Sequence, residues 1–212
     1  MIKKKNLIIL SSLSIFGFST TAFLTKINYF KALDLMINTE VHQIFRPKLT
    51  ILMKVFTEIG DKYILSFLFL FLIILLYSKN KKNDILIILF SSILGFLSTI
   101  SIKSIIERNR PENAQVFEST FSFPSAHATM STIFFLFLAY YISNKFPKIK
   151  FLIWTICFLF FLIISFSRIY LNVHYLSDVI AGIFLATFYF STGILIFSKN
   201  LFQKQAYKQE ER

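Results

Sequence analysis

An all-α integral membrane bundle of six transmembrane helices, with short amphipathic helices on its outer side, is the fold this sequence predicts. Three observations predict it. Apolar residues make up 55% of the 212 positions, 28 of them Phe, and the mean hydropathy is +0.64, outside the composition of a soluble domain. These residues fall in blocks of roughly 17 to 25, the length a helix needs to cross about 30 Å of hydrocarbon at about 1.5 Å per residue. The basic residues gather between alternate blocks, which is how membrane proteins write their orientation.

The first block, residues 7–25, follows Lys3, Lys4 and Lys5. It also fits a signal peptide with small residues near "STTA" at 19–22, and cleavage there would leave the sidedness of the later spans unchanged. The second block, 63–78, is the shortest and either recruits Ile59 or tilts little. The third, 85–106, runs into a polar loop in which Arg110 precedes Pro111, a pairing that ends a helix. The fourth, 126–143, the fifth, 151–167, and the sixth, 174–197, complete the bundle. No linker, internal repeat or soluble segment divides the chain, so residues 1–212 read as one domain.

Lys79, Lys81 and Lys82 follow the second span, Lys145, Lys148 and Lys150 the fourth, and Lys199, Lys204, Lys208 and Arg212 the sixth. With the N-terminal lysines these lie on one side, which the positive-inside rule makes the cytoplasm, with both termini there. The formal charge of +12 therefore points to a membrane surface rather than to nucleic acid. Cys157 lies mid-span and alone, which excludes a disulfide framework and a cysteine metal site.

The outer segment 26–62 places Phe30, Leu33, Ile37, Val41 and Ile44 at helical spacing, then Pro47, then Leu49, Leu52, Phe56 and Ile59. Two short amphipathic helices on the outer surface follow from this pattern. Two roles stand open for them: a connector whose apolar stripe packs on the bundle, or a part in lipid access.

Ionisable residues collect at the outer ends of the spans: Lys103 on the third, His127 on the fourth, Arg168 on the fifth, His174 and Asp178 on the sixth, with Arg110 and Ser125 beside them. A charge inside a bilayer costs a few kcal/mol even on lenient scales, so such residues are a functional hypothesis by default. The chain has 18 Lys and 5 Arg, and two of the five arginines are Arg110 and Arg168. Arg offers the planar, permanently charged fork that phosphate oxygens fit.

In the stretch "FPSAHATMS", Ser125 follows Pro124 and opens the fourth helix, a natural N-cap whose free N–H groups favour an anion. With Lys103, Arg110 and Arg168 this makes a cradle for a phosphoryl dianion. His127, two residues on, is placed to protonate a leaving oxygen. His174 and Asp178, four apart on one helix, share a face, so the carboxylate can orient the ring and aim its other nitrogen at substrate. Bland readings compete: the pair as a structural hydrogen bond, His127 as a polar cap. A zinc site from His127, His174 and Asp178 has suitable donors, but three cationic side chains beside it oppose a dication. A transporter or flippase for an anionic lipid or solute would use the same cluster for binding alone, though its site is expected near the midplane. His42 lacks companions and is assigned no role.

Lys103 to Pro111 reads KxxxxxxRP, Pro124 to His127 reads PSAH, and Ser167 to Asp178 reads SRxxxxxHxxxD. In these three motifs the chain resembles the type 2 phosphatidic acid phosphatase (PAP2) family, over residues 103–178 at motif level and over most of the chain in span layout. The resemblance implies a metal-independent phosphatase, without cofactor, that forms a phosphohistidine on His174. It assigns Asp178 to orient that ring, His127 as general acid, and Lys103, Arg110, Ser125, Ala126 and Arg168 to the phosphoryl group. Ala126 stands where the family usually has Gly, and its N–H remains a donor. By resemblance to small bacterial members the substrate is a lipid phosphate in the outer leaflet, undecaprenyl pyrophosphate or phosphatidylglycerol phosphate first, then phosphatidic acid or lipid A phosphates. Phosphotransfer to an acceptor other than water is the rival within the family. The partners implied are the lipid and the bilayer, with no obligatory protein partner and no nucleic acid.

Overall fold

The structure, a computed structural model, describes residues 3–198. The basic tail residues Lys199, Lys204, Lys208 and Arg212 lie outside the described residues. Among the described residues the chain forms eight α-helices, one 3-10 turn and no strand. The helices are α1 (Lys4–Lys26), α2 (Lys31–Gln43), α3 (Pro47–Ile59), α4 (Lys62–Ser78), α5 (Lys82–Ile106), α6 (Ala126–Lys145), α7 (Lys150–Tyr170) and α8 (Leu176–Phe197).

Five of these, α1, α5, α6, α7 and α8, are each long and apolar enough to cross a membrane. The second expected span differs. α4 has 17 residues, about 25 Å at about 1.5 Å per residue, and reaches spanning length only together with α3, from which it bends by 47° at the Gly60–Asp61 break. Pro47 starts α3 at the position where its missing N–H costs nothing. Asp61 caps α4 by accepting from Tyr63 N (2.8 Å). The chain is therefore an all-helical, multi-pass membrane bundle, with five candidate spans among the described residues, or six when α3 and α4 count as one.

α6 and α8 form the centre, with α7, α5 and α1 packed around them. Phe134, Phe137, Phe161, Phe190 and Ile194 fill the core between them. The close approach of α8 to the start of α6 depends on Gly182, where a Cβ would lie 2.8 Å from the Ser125 carbonyl oxygen.

The two amphipathic helices form as the spacing predicts, but their facing is partly reversed. α2 buries Asp34 and Asn38, while Leu33, Leu35, Met36 and Ile44 are exposed. α3 buries Met53 and Thr57 and exposes Ile51, Leu52 and Val55. In a bilayer the apolar side chains need no shelter from solvent, and it is the polar ones that seek the protein interior.

Up-down packing brings the end of α5, the start of α6, the end of α7 and the start of α8 to one end of the bundle. The α3–α4 break joins them there. The other end carries the exposed Lys79, Lys81, Lys82, Lys145, Lys148 and Lys150.

Candidate active site

α8 begins one residue after Tyr175, so His174 stands in the loop before it and not on the helix as the sequence predicts. The pairing with Asp178 survives for a different reason. Asp178 is the third residue of α8, and its Oδ2 turns back to accept from Tyr175 N (2.9 Å), a capping-box contact. The same oxygen faces His174 Nδ1 at 3.3 Å. The backbone N–H groups of Val173 and His174 both donate to the Arg168 carbonyl at the end of α7 (3.1 and 3.2 Å), which pins the loop. Ser125 N donates to the Asp178 carbonyl (3.0 Å), so the first turns of α6 and α8 are joined through their main chains.

The other nitrogen, His174 Nε2, lies 3.1 Å from Arg110 Nη1. A guanidinium only donates, so Nε2 accepts and the proton belongs on Nδ1, towards Asp178. The ring is 1% exposed. Burial first, and then the charges of Arg110, Arg168 and Lys103, push its pKa well below the ordinary imidazole value, so the ring is neutral.

A cavity of about 510 Å³ opens beside it, lined by Lys103, Arg110, Ala126, His127, Arg168 and His174 at its polar end and by Leu65, Phe69 and Phe96 at its apolar end. Six of the eight expected site residues thus share one cavity, and Asp178 sits behind His174, fully buried. Ser125 differs. It is the N-cap of α6 as predicted, but its buried Oγ accepts from Ala128 N (3.4 Å) and is not among the cavity walls. A larger recess of about 740 Å³ at the opposite end is lined by lysines and tyrosines and holds neither histidine nor arginine.

The cations of the cavity are held by the loop 107–125. Lys103 Nζ donates to the carbonyls of Phe121 and Ser122. Arg110 donates to Thr120 O (2.7 Å) and Val173 O (2.8 Å). Arg168 is buried and donates to Thr57 Oγ1 of α3 and to Glu118 Oε1, and the second Glu118 oxygen lies 3.8 Å from Arg110. Among the described residues no three His, Cys, Asp or Glu side chains are grouped to hold a metal ion, and this includes His127, His174 and Asp178. His42 packs at a tilt against Phe45, with ring centroids 4.4 Å apart.

Three residues at the site went unread in the sequence. Glu118 looks like part of a solvated loop, yet it bridges two of the arginines. Arg108, two residues before Arg110, falls on none of the fixed positions of the KxxxxxxRP pattern, yet its Nη1 donates to Asp178 Oδ1 (2.6 Å) and its Nη2 to Asp34 Oδ2 (2.6 Å). Asp34 lies some seventy residues away on α2, and no spacing rule ties it to the site. The available signal was an acid placed among apolar residues of an interfacial helix.

Comparison with known proteins identifies the family and the fold. The family model described as the PAP2 superfamily matches residues 84–202. Phosphatidylglycerophosphatase B of Bacillus subtilis (strain 168) is 31% identical over 179 residues, which cover 80% of this chain and 82% of that protein. A crystal structure described as the first transmembrane PAP2 type phosphatidylglycerolphosphate phosphatase from Bacillus subtilis superposes with a TM-score of 0.72 at 27% identity, covering 98% of both chains. The crystal structure of Aquifex aeolicus LpxE superposes with a TM-score of 0.60 at 24% identity, covering 76% of this chain and 94% of that one, a likeness of fold.

Proposed function

The chain belongs to the PAP2 superfamily and is a membrane lipid phosphatase, and we propose that it releases phosphate from phosphatidylglycerol phosphate through a phosphohistidine. The observation that carries this is the buried His174 ring, held by Asp178 on one nitrogen and facing Arg110 and a cationic cavity with the other. A second lipid, undecaprenyl pyrophosphate, offers the same terminal phosphoryl group. The name of the 31% identical relative favours the first.

In this reading the phosphoryl group enters among Lys103, Arg110 and Arg168, and Arg110 exchanges its contact with His174 for one with a phosphate oxygen. Nε2 attacks phosphorus in line, the bond to the lipid oxygen breaks, and His127 delivers a proton to that oxygen. Water then attacks the phosphohistidine, His127 takes a proton from it, and inorganic phosphate and the free imidazole return. The cations stabilise charge that grows on the equatorial oxygens, an effect worth roughly 10²–10³ in rate for a single well-placed donor. The Ala126 N–H adds a donor at the start of α6. Ser125 serves this reading by shaping the helix start. The apolar end of the cavity takes the lipid's first carbons.

The lysines at the far end of the bundle support a cytoplasmic assignment for that end and the outer or periplasmic face for the site. A midplane transport site is disfavoured, because the cluster lies at helix ends.

The test is phosphate release from phosphatidylglycerol phosphate by the purified protein in detergent. We expect His174→Ala to lower it at least roughly 10⁴-fold and to abolish an acid-labile, base-stable phosphoenzyme. A variant that keeps its rate refutes the mechanism. Activity unaffected by EDTA is also expected. Because burial and the neighbouring cations depress the His174 pKa, the ring stays neutral below the ordinary imidazole range. The acid limb of kcat/KM therefore lies at a lower pH than that of a free imidazole, and Arg110→Gln moves the His174 contribution to that limb upward.

A further inference from the structure

We propose that Arg108 and Asp34 are positioning residues for the reaction, a clamp from the interfacial helix α2 that sets the orientation of Asp178 and, through it, of His174. The inference rests on the reading of His174 as nucleophile and deepens it.

The two oxygens of Asp178 have separate duties. Oδ2 faces His174 Nδ1 and accepts from Tyr175 N. Oδ1 accepts from Arg108 Nη1 at 2.6 Å. A carboxylate turns about one bond, so the partner of Oδ1 decides where Oδ2 points. Arg108 is fixed in turn. Its Nη2 donates to Asp34 Oδ2 (2.6 Å), its Nη1 also donates to Ser177 Oγ (2.7 Å), and its guanidinium lies 4.1 Å from the centre of the Tyr175 ring.

Asp34 completes the arrangement from α2. Its Oδ1 accepts from Ser177 N (3.0 Å) and its Oδ2 from Ser177 Oγ (2.6 Å). It thus satisfies a free N–H in the first turn of α8 from another helix, where the helix dipole also favours an anion. Asp34 and Asp178 have side chains 1% and 0% exposed, on either side of one guanidinium whose side chain is 16% exposed. Two buried carboxylates so close need the cation between them, and its removal frees Oδ1 and leaves the Tyr175 N–H to hold Oδ2 towards the imidazole. The ion pair ends on the one carboxylate that also faces His174 Nδ1, which ties its geometry to that of the ring.

A double-mutant cycle tests the clamp, with phosphatidylglycerol phosphate in detergent micelles as the probe and each variant checked by thermal unfolding and monodisperse elution. Arg108→Gln is expected to lower kcat about 10- to 100-fold, the range for outer residues that orient an active group, with KM within about twofold. Arg108→Lys, which can keep one of the two ion pairs, loses less. Asp34→Asn, nearly isosteric, is expected to cost about 10-fold in kcat. In an Asp178→Asn background each of these should cost less than about threefold, because the residue through which they act is already impaired. Losses that multiply fully in that background overturn the proposal, as does a rise in KM at unchanged kcat or an Asp34→Asn protein as fast as the parent. If Arg108→Gln does not fold, Asp34→Asn carries the same cycle with the same outcomes. His174→Ala separates the two ideas: an active His174→Ala protein defeats the phosphohistidine reading, whereas a dead His174→Ala with a silent Asp34→Asn defeats the clamp alone.

Discussion

The two halves of the chain meet the membrane differently. In α6, 61% of the spanning window is buried inside the bundle, whereas in α1 only 17% is. The C-terminal half, α5 to α8, carries all the groups to which we assign chemistry. The N-terminal half is largely exposed, yet it reaches the site at three points. Asp34 of α2 bonds Arg108 and Ser177, Thr57 of α3 accepts from Arg168, and Gly60 brings the α3–α4 break against His127. On the proposed mechanism, the difference teaches that one half supplies the reactive side chains and the other holds them still.

Three substitutions sharpen or break this division. The largest effect is expected at Arg168, where the guanidinium serves Thr57 and Glu118 at once. Arg168→Lys keeps the charge but not the fork, and we expect kcat/KM to fall roughly 10²-fold. A loss below threefold would show that charge alone suffices. Next comes Gly60, where a Cβ would stand 2.6 Å from Ile164 Cγ2 and 3.1 Å from His127 Cδ2. Gly60→Ala should displace the break or the imidazole and lower kcat about 10-fold, a modest misplacement of a proton donor. Unchanged turnover would remove the α3–α4 break from the site. The smallest is Asn38→Ala, which deletes a buried bond to Asn172 Oδ1 (2.6 Å). We expect a loss of about 1–3 kcal/mol, read as a lower Tm, with kcat within about twofold.

Much of the candidate site is legible because it is written in residue types that a bilayer makes expensive. Lys103, His127, Arg168, His174 and Asp178 stand out at span ends for that reason, with Arg110 beside them, and up-down topology gathers all of these but Asp178 around one cavity. What stayed hidden depended on geometry that spacing does not encode. His174 was placed on a helix because neither Gly nor Pro marks the start of α8. The break is instead made by Asn172, in a left-handed conformation at φ 55°, and by the Tyr175 cap. The spacing of α2 marks a helix but leaves its facing open, and in the structure Ile37 and Val41 pack on the core while Leu33 and Ile44 are exposed. Asp34 escaped notice for the same reason. The second span was the least secure element, and it is the one that needs α3 to reach across.

The bond from Ser125 N to the Asp178 carbonyl belongs to no side chain. Replacement of the amino acids around it, short of proline at 125, leaves both its ends chemically intact, so the spacing between the first turns of α6 and α8 is independent of most drift in composition. A scaffold fastened in this way can be repurposed for new head groups by changing its walls, without the reacting centre having to be invented again.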